Sequence, residues 1–318
     1  MNKSDKIPAI SVILITYNRC KMLARMMEAL KAQTFQDYEV ILINNGSTDE
    51  TATVCENYAT QDKRVKVVTI EQNNGAAPAR NVGLEHVTGE YVLMVDDDDY
   101  CQPEMMEHLY GMAERYHADI CITGCVDEYS DGRLEPKYVY DDLHIWKGHE
   151  GLSEFLKREK FHTAPATKLF RNKLFDGKRW IEGTCVDDIH FIYKLFVDAK
   201  LVVAQGKPMY HFYKHVGNVS GFLSGDILQP HILDDYLTMQ DERVEYISKH
   251  CPELEKQVRY ARVSYMISMV ERIEKGYAVD CDEQLVFMKK YISMHKGELL
   301  NTEWTTERER NLFQCYIN

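Results

Sequence analysis

The sequence of 318 residues predicts an α/β fold, a doubly wound and mostly parallel sheet followed by a C-terminal helical extension. Three observations carry this. Five short, β-rich apolar runs recur within about the first 125 residues, each separated from the next by a segment with helical spacing. Turn-forming and ligand-binding polar residues collect at the carboxyl ends of those runs, where open α/β sheets place their ligands. Beyond about residue 225 the pattern becomes wholly helical.

Ala9 to Thr16 (AISVILIT) is a continuous β-branched run of the buried-strand type. Met22, Leu23, Met26, Met27 and Leu30 follow with helical spacing. Tyr38 to Ile43 is the second strand and ends in the turn signal Asn44-Asn45-Gly46-Ser47. Ser47-Thr48-Asp49-Glu50 can cap the next helix, whose apolar positions include Ala52, Val54, Cys55 and Tyr58. Val65 to Ile70 is a third strand. Asn73-Asn74-Gly75 opens a loop, and Ala76 to Val87 reads as a helix. Tyr91 to Val95 is the fourth strand, Pro103 to Tyr116 a helix, and Asp119 to Gly124 the fifth strand. Helical crossovers between such strands are right-handed, so the strands run parallel.

Residues 126–225 are less regular. Asp127 to Asp142 is polar and turn-rich, suiting a loop or a hairpin. Val186-Asp187-Asp188 starts a helix with Ile189, Ile192, Tyr193 and Phe196 on one face. Four helices are expected in the tail, near 227–249, 253–275, 282–296 and 304–316. The division is therefore 1–225 for a catalytic domain and 226–318 for the helical extension.

A formal net charge of -12 argues against nucleic acid as a partner and against broad adhesion to anionic lipid. No apolar stretch reaches the ~20 residues that span a bilayer, and the opening MNKSDKIPAI has no signal-peptide core. Nine cysteines without a C-x-x-C pair suit reduced thiols and a cytoplasmic location.

The fourth strand empties into Asp96-Asp97-Asp98-Asp99. Two unit charges ~4 Å apart repel by about 4 kcal/mol at an effective dielectric near 20, so a positive partner is required. A hard divalent cation with oxygen ligands suits that role. Continued strand alternation aims Asp96 and Asp98 at one point and Asp97 away.

Five segments in order resemble family 2 glycosyltransferases, which use the A-type nucleotide-sugar-binding fold. SVILITYNR resembles the family's first strand and loop, and VILINNGSTDET its second. GAAPARNVGLEHVTGEYVLMVDDDDY matches the stretch leading to the D-x-D. TKLFRNKLF with WIEGTCVDDIHFIYKLF resembles the acceptor side, and KPMYHFYKHVGNVS the segment closing the catalytic domain. Together they cover about residues 10–220.

The resemblance implies an inverting, metal-assisted transfer of a hexose or N-acetylhexosamine from a UDP-sugar. The acceptor is a hydroxyl of a growing glycan or lipid-linked saccharide, as in bacterial polysaccharide assembly. It implies Mn²⁺ or Mg²⁺ on Asp98 and Asp96, with Asp97 and Asp96 also near the nucleotide. Thr16 and Tyr17 border the base, and Arg80, Lys214 and His215 approach the phosphates. Asp188 is the general base. On a helix it shares the face of Ile192, whereas Asp187 falls toward Lys194 and solvent. Asn45 stands where the family carries the aspartate that accepts the uracil N3–H. An amide can accept from uracil, or turn around to face cytosine, so only modest discrimination against CDP is expected.

A catalytically silent nucleotide- or glycan-binding module of the same fold is the alternative. A sugar nucleotidyltransferase would show a Gly-rich basic loop where Thr16-Tyr17-Asn18-Arg19 stands. In the tail, Val263, Met266, Ile267, Val270 and Ile273 form an apolar stripe flanked by Arg259, Arg262 and Arg272. Core packing, acceptor binding, homo-oligomerisation and peripheral membrane contact are the uses it suits.

Overall fold

The computed structural model describes residues 7–184, 186–215 and 227–317. The chain forms two compact units divided between His215 and Val216. The boundary expected at 225/226 lies at residues outside the described set, as does the end of the KPMYHFYKHVGNVS segment.

The first unit is built on one ten-stranded sheet with helices on its faces. Its elements begin as the apolar runs predict: β1 (Ile10–Thr16), α1 (Leu23–Lys31), β2 (Tyr38–Asn45), α2 (Thr51–Gln61), β3 (Val65–Ile70), α3 (Ala76–Glu85), β4 (Tyr91–Asp96). Then come β5 (Tyr100–Cys101), α4 (Met105–Tyr116), β6 (Ile120–Tyr129), β7 (Leu134–Lys137), β8 (Tyr140–Lys147) and α5 (Glu150–Lys157). β9 (Lys168–Arg171), α6 (Asp187–Asp198) and β10 (Leu201–Lys214) complete it. The order across the sheet is β3-β2-β1-β4-β9-β6-β10-β5. β1, β2, β3 and β4 pair in parallel, as do β6 and β10. The short β9 enters antiparallel between β4 and β6, so the fourth and fifth predicted strands are not neighbours. β6 runs past Gly124 to Tyr129 because its polar end is held by β7 on one side and β10 on the other. The polar stretch is thus partly hairpin.

The core lies on the face shared by α1 and α4, where Met26, Met27, Leu30, Met105, Met106 and Leu109 pack on Val12, Leu14, Leu93 and Val95. α2 begins without a side-chain cap on Glu50; Asp49 instead accepts from the Thr51 amide at 2.9 Å. Ser47 and Thr48 turn toward the first loop, where Ser47 Oγ accepts from Asn18 N and Thr48 N donates to Asn18 Oδ1. The first two strand-end loops are therefore tied together. Gly46 adopts φ +70°, and a Cβ there would lie 2.5 Å from Asn73 N, so the two Asn-Asn-Gly turns meet where only glycine fits.

The second unit contains α7 (Pro230–His250), α8 (Glu255–Glu274), α9 (Asp282–Met294), α10 (Lys296–Leu300) and α11 (Glu307–Tyr316). Val263, Met266, Ile267 and Val270 are fully buried on α8, so core packing consumes most of the predicted stripe. Arg262 pairs with Asp241 of α7 and Arg259 with Glu255. No helix among the described residues is long and apolar enough to cross a membrane.

Candidate active site at the carboxyl ends of the strands

β1, β2 and β4 end side by side, with Ile15 opposite Asp96 and Thr16 opposite Asn44. β4 stops at Asp96 and the chain turns over Asp97-Asp98, so strand alternation does not continue through the run. The expectation that Asp97 points away from Asp98 fails for that reason. Both carboxylates meet the guanidinium of Arg19, which binds Asp98 Oδ2 and lies 3.5 Å from Asp97 Oδ1.

Each aspartate has its own partner. Thr16 Oγ1 donates to Asp97 Oδ2 at 2.6 Å. His215 Nε2 lies 3.0 Å from Asp98 Oδ2, the oxygen that also takes Arg19. The Tyr210 hydroxyl donates to Asp99 Oδ2 at 2.8 Å and accepts from the Asp96 amide, while Tyr213 N donates to Asp99 Oδ1. Asp96, with a side chain 48% accessible, lies 3.6 Å from Arg80. Burial pushes the Asp97 carboxyl up to about 7 against Thr16 and Arg19, and the charges of Asp98 and Asp96 add to the rise. Burial likewise holds the Asp99 carboxyl well above its usual range, with Asp96 and Asp98 contributing.

Arg80 reaches from α3 to the start of α6. Its guanidinium binds Asp187 and lies 5.9 Å from the Trp180 ring centroid. Asp187 therefore faces neither Lys194 nor open solvent as its helical position suggested; a cation from another element captures it. Asp188 follows on the same helix turn. Burial raises its carboxyl to about 6, with Asp187 adding and Arg80 opposing. Lys168, fully buried on β9, is another group the sequence did not single out. Its ammonium donates to Ala164 O at 2.6 Å and also to His162 O and Thr167 Oγ1, tying down the 162–167 loop. Burial lowers it to about 7.

Asn45 is buried at the end of β2. Its Nδ2 donates to Asn73 Oδ1 and to Gly75 O, both at 3.0 Å, while its Oδ1 meets no donor among the described residues. Turning the amide would forfeit both bonds. The Nδ2 of Asn45 is thus committed to the 73–75 loop, and its Oδ1 is itself buried. Lys214 pairs with Asp127 at 3.2 Å, and Tyr17 is 39% exposed.

The donor set suits a hard divalent ion, since the run offers only carboxylate oxygens. Yet no group of three or more His, Cys, Asp or Glu side chains among the described residues is arranged to hold one. Arg19 stands where the charge is needed. A divalent ion ~4 Å from a guanidinium is repelled by about 8 kcal/mol at an effective dielectric of 20. Arg19, Tyr210 and Lys168 were the pieces sequence reasoning missed, and Asp187 one it had turned toward solvent. Arg19 had a usable signal, since it lies three residues beyond the end of β1, in the strand-end loop.

Comparison with known proteins matches residues 11–177 to glycosyl transferase family 2. Glycosyltransferase GlyG of Streptococcus pneumoniae serotype 4 is 30% identical over 220 residues, 66% of this chain and 72% of that protein. The poly(ribitol-phosphate) beta-N-acetylglucosaminyltransferase TarS of Staphylococcus aureus is 27% identical over 253 residues, 77% of this chain and 42% of TarS. The chain likewise spans only 38% of GlyA of the same Streptococcus strain, which is 27% identical over 84% of this chain. In structure, S. aureus TarS 1–349 with UDP-GlcNAc superposes with TM-score 0.71 at 21% identity, covering 95% of this chain and 83% of that one. The mannosyltransferase PcManGT of Pyrobaculum calidifontis, with GDP-Man and Mn²⁺, reaches 0.54 at 14% identity, over 98% and 86% of the two chains. These likenesses at low identity establish the fold.

Proposed function

The chain belongs to glycosyl transferase family 2, and from that premise we propose that it is an inverting transferase using a UDP-sugar donor. The observation that carries this reading is Arg80. It joins Asp96, at the donor-side strand end, to Asp187, which lies beside the proposed base and 107 residues after Arg80 itself. An acceptor hydroxyl loses its proton to the Asp188 carboxylate as its oxygen bonds to the sugar's anomeric carbon. The bond from that carbon to the diphosphate breaks, and UDP leaves. A partly buried base with a pKa of about 6 is ionised at neutral pH and still able to take a proton. Arg80 would release Asp187 to hold the leaving diphosphate, and Asn45 Oδ1, buried in the resting chain, would be uncovered as it accepts the uracil N3–H. Asp98 and Asp96 would hold Mn²⁺ or Mg²⁺, which neutralises a diphosphate when bound.

UDP-GlcNAc, which TarS binds in its solved complex, is the donor to test first. The acceptor is read as a glycan or lipid-linked saccharide, with the helical extension serving acceptor binding or self-association. Hydrolysis of UDP-GlcNAc and other UDP-sugars, measured with and without Mn²⁺, tests the assignment. Hydrolysis that needs Mn²⁺ and disappears in Asp188→Asn supports it. Nucleotide binding with no turnover of any UDP-sugar would instead identify a silent module.

A further inference from the structure

Arg19 is rooted firmly and reaches freely. Its amide donates to Thr51 Oγ1 at 3.0 Å, and its carbonyl accepts from Met22 N at 2.9 Å and Leu23 N at 3.0 Å. The backbone is thereby fixed against both α1 and α2. The side chain crosses to the acidic run, bonds Asp98 Oδ2 and approaches Asp97 Oδ1. It retains 24% accessibility and so has a way out. His215 reaches the same Asp98 oxygen from the end of β10.

Asp98 Oδ2, carrying an arginine N–H and an imidazole N–H, has its lone pairs engaged, so a metal ion is left only the other oxygen of that carboxylate. The guanidinium also repels a second cation at that distance. A diphosphate, in contrast, offers Arg19 a planar pair of oxygens that matches its fork. Resting charge balance and a metal-loaded state therefore require two positions of this side chain.

We infer that Arg19 is a positioning residue that acts as the resting counter-ion of Asp97 and Asp98, competes with the divalent cation for them, and yields when a nucleoside diphosphate arrives. This rests on the metal and UDP reading above. It adds that the chain without nucleotide binds metal poorly, and that nucleotide and metal bind with positive coupling routed in part through Arg19.

The test is titration of Mn²⁺ into the full chain, followed by the loss of the free-ion electron paramagnetic resonance signal, with and without UDP. Without UDP, Arg19→Gln should bind Mn²⁺ at least tenfold more tightly than wild type. Arg19→Lys should give a smaller gain, because the charge remains but the fork does not. Adding Asp98→Asn to Arg19→Gln should remove the gained affinity. UDP should tighten Mn²⁺ less in Arg19→Gln than in wild type. Equal or weaker Mn²⁺ binding by a folded Arg19→Gln, with wild type binding Mn²⁺, overturns the inference and leaves the metal reading standing. If Arg19→Gln does not fold, Arg19→Lys decides on the same criterion. If neither protein binds Mn²⁺ even with UDP, the metal reading falls and this inference falls with it.

Discussion

Two carboxylates at opposite ends of the sheet are almost equally buried, and they behave in opposite ways. Glu39, near the amino end of β2, is 4% exposed; Asp97, beyond the carboxyl end of β4, is 6% exposed. Glu39 accepts from Ser11 Oγ at 2.6 Å, Thr88 Oγ1 at 2.7 Å, Thr88 N at 3.1 Å and Lys66 Nζ at 2.6 Å. Burial alone would raise its carboxyl, but those bonds win and hold it below the ordinary range. At Asp97 burial wins, since one hydroxyl and a shared guanidinium face the neighbouring carboxylates of Asp98 and Asp96. One end of the sheet satisfies its charge and the other accumulates it. A charge left unsatisfied where strands end is poised to meet a ligand, whereas a satisfied one secures the fold.

The sharpest way to break this comparison is at the proposed base. Asp188→Asn should lower turnover by ~10²-fold or more, about 2.7 kcal/mol in the barrier, while UDP affinity and melting temperature stay near wild type. Steady-state kinetics with calorimetry checks it. If most activity survives, Asp187 becomes the next suspect. In the wild type, turnover should fall tenfold per pH unit below about pH 6, as the Asp188 carboxylate protonates, and should level off above. A pH–rate profile flat down to pH 5 removes Asp188 from that role.

Stability should divide the two ends next. Glu39→Gln should cost ~1–3 kcal/mol, because buried donors lose an ionised acceptor. Asp97→Asn should be neutral or stabilising, because it removes one of four crowded charges. Urea unfolding of both variants decides, and equal destabilisation would erase the distinction. The pH signs also differ. Glu39 has a depressed folded pKa, so its contribution is present above its ordinary 4.5 and lost as pH falls through the folded value. Asp97 has a raised one, so the folded state binds more protons between 3.8 and about 7, and stability gains as pH falls across that window. Asp97→Asn should flatten that gain.

The smallest effect concerns Asn45. A carboxylate there would face Asn73 Oδ1 and Gly75 O, two acceptors it cannot bond. Asn45→Asp should therefore weaken UDP binding by ~1–2 kcal/mol rather than sharpen base choice. Titration of UDP and CDP into both proteins tests it. Tighter UDP binding by the variant would show that the amide turns freely.

Much of the parallel half of the sheet was legible because β-branched runs such as Ser11 to Ile15 leave little else for the chain to do. β9 was not, since four residues with a lysine at their head carry no period. Its buried Lys168 is solvated by backbone oxygens that only the folded loop supplies. The strand-end rule located Asp96 to Asp99 and Thr16 correctly on one edge. What it could not give was pairing. Arg19 finds Asp98 across 79 residues and Arg80 finds Asp187 across 107, and no local pattern reports such distances. Helical geometry placed Asp187 toward solvent because it considers one helix at a time.

The long reach of these pairs also sets an order of events during synthesis. Asp98 gains its second partner from His215, 117 residues later, and Asp99 depends on Tyr210, 111 residues later. A ribosome that has released β4 but not β10 therefore holds a nascent chain whose acidic run is only half compensated. Four wet aspartates at the end of an otherwise very apolar strand keep that intermediate from pairing with its neighbours on other ribosomes. The acidic run thus first acts as a gatekeeper, and its set of partners is complete only when β10 arrives.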